Sequence, residues 1–185
     1  MAFFKSIAAV LFSALLFSGC SIKGHPYQPD FNSINYLKDQ NLQKMAVNRS
    51  ESSSGSDEEV SLRAANMVSP YGGSFTTYLQ KSLQEHLEQA ALYDEHSKIK
   101  ITATLIRNDV DISGFSIGTA DLTANFLVES NGKHVYKKEL SIHHEWDSSF
   151  IGQIAIENAL DNYPVAMQKL IDAFLSDQAF LESVK

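Results

Sequence analysis

The chain is poor in the residues that usually announce a function. Of its 185 residues only Cys20 is a cysteine, so no disulfide can form within the chain. Cationic side chains are outnumbered: 15 Lys and Arg against 22 Asp and Glu leave a net charge of −7, which argues against nucleic acid or anionic lipid headgroups as primary partners. No second long apolar run follows the first 19 residues, and no internal repeat is present. The Walker loop, the Gly-x-Gly-x-x-Gly fingerprint, the regular oxygen spacing of an EF-hand and the Gly-x-Ser-x-Gly elbow are all missing. The commonest signals of nucleotide, calcium and acyl-transfer chemistry are therefore lacking.

What the chain does have is a distinctive beginning. Met1 to Ser6 carry one charge, Lys5; Ile7 to Phe17 are apolar; the small residues Ser18 and Gly19 follow. This is the layout of a secretory signal, and its apolar core is short of the roughly 20 residues that a membrane span needs. A plain signal peptide and an uncleaved helix are the alternatives. Phe17-Ser18-Gly19-Cys20 resembles the lipobox of bacterial lipoproteins, with Phe17 where Leu is more usual. The resemblance implies cleavage between Gly19 and Cys20, a diacylglycerol on the Cys20 sulfur and an acyl chain on the new amino terminus. It implies no other cofactor. Two or more buried chains, at about 0.8 kcal/mol per methylene, would hold the protein firmly in its membrane. Ser21, where an Asp would imply inner-membrane retention, points by the same resemblance to the periplasmic face of the outer membrane.

Three parts are expected: a signal peptide over 1–19, a lipidated cysteine and flexible tether over 20–40, and one domain over 41–185. Removing the first part takes away Lys5 and no acid, so the net charge moves from −7 to −8. About 165 residues remain, enough for a single core. Pro26 and Pro29 among polar residues give the tether reading, and twenty flexible residues would average roughly 25 Å end to end. Tyr27, Phe31, Ile34, Tyr36 and Leu37 are expected to lie partly along the domain surface.

Leu42 to Asn48 reads as a first strand, and Val60 to Val68 as a second strand of an early hairpin, joined by the polar run Arg49 to Glu59. Ser69-Pro70-Tyr71-Gly72-Gly73-Ser74 forces a turn, with Ser74 placed to cap a helix. From Phe75 to about Leu92 the apolar residues Phe75, Leu79, Leu83, Leu87, Ala90 and Ala91 recur at helical spacing, with His86 flanking the stripe as a surface residue. The period then becomes two: Ile99, Ile101, Ala103 and Leu105 in one strand, Ala120, Leu122, Ala124, Phe126 and Val128 in the next. Gly114-Phe115-Ser116-Ile117-Gly118 joins them, with two apolar residues at its centre. That tip is a candidate contact point.

Asn131-Gly132 alone suggests a two-residue type I′ turn, but that register sets Phe126 against Lys137. A three-residue loop, Ser130-Asn131-Gly132, pairs Phe126 with Tyr136, Leu122 with Leu140 and Ala120 with Ile142. Because a one-residue slip turns every side chain over, burial is expected to select this second register. His143, His144 and Glu145 invite a metal reading, yet alternation sends His143 and Glu145 to one face and His144 to the other, two ligands at most. Trp146 falls on the apolar face. A last helix is expected from near Ile154 through Pro164 to Phe174, bent at the proline, followed by a short turn capped by Ser176-Asp177.

These elements give an α+β fold, a two-layer sandwich. A mainly antiparallel sheet of about four strands has two helices packed on one face. Ser69 to Phe75 before the first helix, Leu92-Tyr93-Asp94 after it and Trp146 to Gly152 before the last resemble small, largely uncharacterised envelope lipoproteins of Gram-negative bacteria. In order of elements, residues 42 to 181 resemble YajG-type lipoproteins, LptE and the auxiliary lipoproteins of envelope ABC transporters. Those motifs are punctuation and packing residues, so the resemblance implies no active site. It implies a membrane-anchored, non-enzymatic protein with an envelope protein as partner in transport or biogenesis. The alternative is a binding module for a small molecule, lipid or glycan, which calls for an apolar cavity between sheet and helices. A hydrolase would need His143 near a serine or acid in a cleft, with Ser148 or Ser149 as nucleophile.

Overall fold

The structure is a computed structural model and describes residues 20–49, 51–52 and 59–185. The signal segment 1–19, with Gly19, lies outside the described residues, and so does most of the polar run after Arg49.

The described residues form eight strands and four helices. They are β1 (Cys20–Lys23), α1 (Phe31–Lys38), β2 (Ala46–Val47), β3 (Glu51–Ser52), β4 (Glu59–Leu62), β5 (Ala65–Val68), α2 (Phe75–Gln89), β6 (Ile99–Asp111), β7 (Ile117–Ser130), β8 (Lys133–Asp147), α3 (Gly152–Leu175) and α4 (Gln178–Ser183). The α+β sandwich expected from the pattern is what the chain adopts. The main sheet has five strands: β6, β7 and β8 form an antiparallel meander, and β2 and β3 both pair parallel with β6. The first strand therefore lies beside a later one and not in a hairpin with Val60 to Val68. That segment folds on itself as the β4–β5 hairpin, and β1 joins β5 in parallel to make a second, three-stranded sheet.

Residues 20–40 do not form the flexible tether expected from the sequence. Cys20 pairs with Ala65 and Ile22 with Met67 in β1, and Asp30 caps α1 by accepting from the Asn32 and Ser33 amides. Tyr27, Ile34 and Leu37 are buried in the core. Two prolines among polar residues suggested a coil, but Ile34 and Leu37, three apart, had an apolar surface to cover and bring a short helix down onto it.

α2 begins at Ser74, whose Oγ accepts the Thr77 amide at 3.1 Å. α3 runs through Pro164 without a break, and its Ala155, Ala159, Tyr163, Ala166, Met167, Leu170 and Phe174 are buried. Facing them are the buried Ala120, Leu122, Ala124, Phe126 and Val128 of β7. Asp177 caps α4 and accepts from the Lys138 ammonium at 2.6 Å, tying that helix to β8.

The β7–β8 connection resolves the register question differently from the sequence reading. Ser130 pairs with Lys133 across a two-residue turn with Asn131 at φ 51° and Gly132 at φ 78°, the type I′ signature. The register then shifts after Val128, which pairs with Tyr136, so Leu122 meets Ile142 and Ala124 meets Leu140. The expected pairs do not form, and Phe126 faces Lys138; a β-bulge in β8, not a longer loop, puts Tyr136, Leu140 and Ile142 on the core side.

Candidate functional site

The open face of the main sheet is polar. On it Arg107 bonds Asp109 at 2.7 Å and approaches Asp121 at 3.5 Å, while His143 bonds Asp121 through Nδ1 at 2.8 Å and Glu145 through Nε2 at 3.0 Å. Bonds to Glu145 and Asp121 raise the His143 pKa. The cross-strand ladder spends the exposed imidazole on two carboxylates, and among the described residues no serine is bonded to it. His144, one residue on, points the other way. It is buried, takes the Lys169 ammonium at Nδ1 (2.8 Å) and meets Asn162 Oδ1 at Nε2 (3.0 Å); desolvation lowers its pKa. Among the described residues no group of three or more His, Cys, Asp or Glu is arranged to hold a metal ion.

His86, expected at the surface, is fully buried. Tyr27 Oη lies 2.8 Å from its Nδ1, Ser33 Oγ lies 3.1 Å from its Nε2, and Ser33 Oγ donates to Asp172 Oδ1 at 2.6 Å. Donor counting fixes the direction of this chain. The one Ser33 proton goes to the carboxylate, so Nε2–H must donate to Oγ, and Nδ1 is left to accept from Tyr27. Such an imidazole cannot take the serine proton, and the carboxylate holds the hydroxyl rather than the ring. Burial pushes the His86 pKa down to about 4. The group is a neutral relay joining α1, α2 and α3, and the arrangement is the wrong way round for a nucleophile.

The remaining unusual feature is an apolar end. Of nine large apolar side chains exposed among the described residues, five lie there: Phe115, Ile117, Phe150, Ile151 and Ile154. Phe115 and Phe150 are 72% and 73% exposed, yet their rings meet at 5.2 Å, so two separate loops present one surface. Arg63 holds those loops. From the β4–β5 turn, at φ 49°, its Nε donates to Ile112 O (2.7 Å), Nη1 to Phe150 O (3.1 Å) and Nη2 to Gly114 O and Ser149 O (2.9 Å each). The Ser148 amide donates to Ser116 O at 2.8 Å. Beside the clamp a groove of about 590 Å³ is lined mainly by Ile22, Ala64, Ile156 and Leu160, with Arg63, Gln153 and Glu157 also on its wall.

Of the proposed tip, Gly114, Phe115 and Ser116 form the loop, whereas Ile117 and Gly118 belong to β7. Gly118 is buried opposite Trp146, where a Cβ would come within 2.5 Å of the indole. Its role is to let that ring lie flat on the strand. Phe150 and Ile151 were visible in the sequence only as part of a loop motif. Arg63 gave no signal, because Arg-Ala is not a turn pair.

Cys20 stands at this same end. It is the first residue of β1 and pairs with Ala65, directly beside Arg63 and Ala64, about 5 Å away across the ladder.

No protein-family model matches the chain, and no curated protein matches it either. Solved structures do. The chain is similar to a protein of the DUF330 family from Xanthomonas campestris, at 14% identity and a TM-score of 0.58, over 88% of this chain and 96% of that one. It also matches a putative lipoprotein from Caulobacter crescentus (14% identity, TM-score 0.48, 82% and 96% covered). A third match is the rare lipoprotein B from Shewanella oneidensis (13%, 0.43, 76% and 96%). Bacterial lipoproteins are thus among its structural neighbours; the Xanthomonas likeness shows a shared fold.

Proposed function

We propose that this chain is an outer-membrane-anchored periplasmic lipoprotein, a non-enzymatic partner in envelope transport or biogenesis. The signal segment is removed before Cys20, the sulfur and the new amino terminus are acylated, and Ser21 sends the product to the outer membrane. One observation carries the reading: the only cysteine follows Ser18-Gly19, and that cysteine is part of strand β1, paired with Ala65. An acylated sulfur there is joined to the body of the protein without slack.

The partner surface is the open face of the main sheet, turned to the periplasm. A polar hollow of about 550 Å³ between β4 and β6, lined by Glu59, Arg107, Asp109, Asp111 and Asp121, supplies a mixed-charge patch suited to a protein rather than an apolar ligand. The orientation of the His86 relay and the exposure of His143 support a non-catalytic role.

Radiolabelled palmitate fed to cells should label the chain and not its Cys20→Ser variant. In a membrane density gradient the label should run with the outer membrane, and Ser21→Asp should move it to the inner one. An unlabelled chain with a free thiol at Cys20 would remove the proposal.

A further inference from the structure

We infer that the apolar end is a membrane-docking surface: Phe115, Phe150, Ile151 and the groove beside Arg63 seat in the leaflet that holds the lipid on Cys20. This rests on the lipoprotein reading and extends it from an anchor to an orientation.

The fold of residues 20–40 ties the anchor to the domain. Were residues 20–40 flexible, the domain would stand clear of the bilayer and its exposed side chains would have no fixed relation to lipid. Instead Cys20 to Lys23 form a strand, and Gly24 continues it by donating to Val68 O at 2.9 Å. The glyceryl group on Cys20 lies in the headgroup layer, so whatever surrounds the start of β1 must lie there too. That surroundings is the β4–β5 turn, and Arg63 in that turn bonds four carbonyls of the loops that carry Phe115 and Phe150. The position of the anchor and of the aromatic tip are thereby fixed relative to each other.

The chemistry of the patch fits an uncharged interface. Its one central cation, Arg63, has four of its five N–H groups spent on carbonyls, which leaves little of it for phosphates. The exposed groups of the loops are two aromatic rings and isoleucine side chains, which gain from the headgroup–acyl boundary without a basic cluster, and the polar Gln153 and Glu157 of the groove can reach the headgroup layer. The opposite end carries Asn131, Gly132, Lys133 and His134, all exposed. Fourteen residues of β7 separate the two ends, roughly 45 Å at strand rise, so that end projects into the periplasm.

The test uses the lipidated full chain in phosphatidylcholine–phosphatidylethanolamine vesicles. With its sulfur acylated Cys20 is not a reactive thiol, so Phe115→Cys, Phe150→Cys and Lys133→Cys each supply a single nitroxide site. Mass spectrometry first establishes the lipid on Cys20. The ratio of oxygen to nickel-complex collisions should shift to membrane values at 115 and 150 and keep its aqueous value at 133. A chain that carries its lipid but gives aqueous values at all three sites overturns the docking and leaves the lipoprotein reading standing. Dipolar broadening at 115 and 150 without lipid contact would mean a second copy covers the end, and also overturns it. Failure of the lipidated chain to sediment with vesicles, its acyl chains folded back into its own groove, does the same. A chain with no lipid on Cys20 overturns both readings.

Discussion

The two ends of the main sheet use the same residue type in opposite ways. At the β7–β8 end Phe126 stacks on Phe174 at 4.3 Å, nearly parallel, with Phe180 and Tyr136 packed around them, and all three phenylalanines are fully buried. At the anchor end Phe115 and Phe150 also touch, but nearly three quarters of each is in contact with solvent. One aromatic cluster closes the core; the other is held on the outside by an arginine whose bonds go to backbone. Aromatic rings are costly to leave in water, so a rigidly positioned outer pair implies that something covers it. The contrast separates residues that maintain the fold from residues that present a surface, and substitutions at the two ends should separate in the same way.

The largest effect is expected from Phe174→Ala. Its ring fills space between β7, β8 and α4, and removal should cost about 3–5 kcal/mol, read as a lower urea midpoint with little change in slope. If the loss were no larger than that of an exposed substitution, the distinction between the two clusters would fail.

Acid should act next most strongly, and again away from the anchor. His86 has a folded pKa of about 4 against an ordinary 6.5, so between these values the unfolded chain binds the extra proton. Its stabilising contribution is complete above pH 6.5 and is lost as pH falls to 4, by about 3 kcal/mol in all. His144, lowered by burial, acts in the same direction. Asp172, raised by burial, opposes them at the acid end, while the exposed His143, raised by Glu145 and Asp121, contributes below its pKa and loses that as pH rises. His86→Gln keeps a donor and an acceptor but does not titrate. Urea midpoints at pH 7.5 and 5 should differ less for this variant than for the parent chain.

How far the sequence anticipated these features depends on whether the pattern was periodic. The α2 stripe, its Ser74 cap, the β7 alternation and the cap of α4 by Asp177 were all readable, because each follows from local spacing. Strand β6 was read only to Leu105. A bulge at Ile106 shifts the register, so burial moves from Ile101, Ala103 and Leu105 to Asn108 and Ile112, and a period-two search stops there. His86 sits on the helical face next to Leu83 and Leu87, but its burial depends on Tyr27 and Ser33, brought from the segment read as a tether. The exposed Phe115 was visible as an isolated apolar residue in a glycine-bounded loop. Its partner Phe150, 35 residues on, and the Arg63 clamp arise only from tertiary contacts, which no local pattern encodes.

At the anchor end Arg63→Ala should cost about 2 kcal/mol, since a charge-assisted donor to several carbonyls is lost where water can replace part of it. The more informative readout is local. Amide exchange should speed up at Ser116 and Ser148 to Ile151 while β7 and α3 keep their protection, and equal acceleration at both ends would show that the clamp does not define a separate unit.

The smallest effect on stability and the clearest on position should come from Phe115→Ser with Phe150→Ser. Exposed side chains of this kind contribute within about 0.5 kcal/mol to folding, so the urea midpoint should barely move. With the proposed acyl chains on Cys20 the variant would still stay on vesicles, so retention is not the measure. What should change is tilt: with the rings gone, a nitroxide at Ile151→Cys should move from membrane to aqueous collision ratios while one at Lys133→Cys stays aqueous. An unchanged depth at 151 would mean that the lipid alone sets the orientation and that the outer aromatic pair awaits some other cover. A large loss of stability would mean that the two ends are alike after all, both of them core.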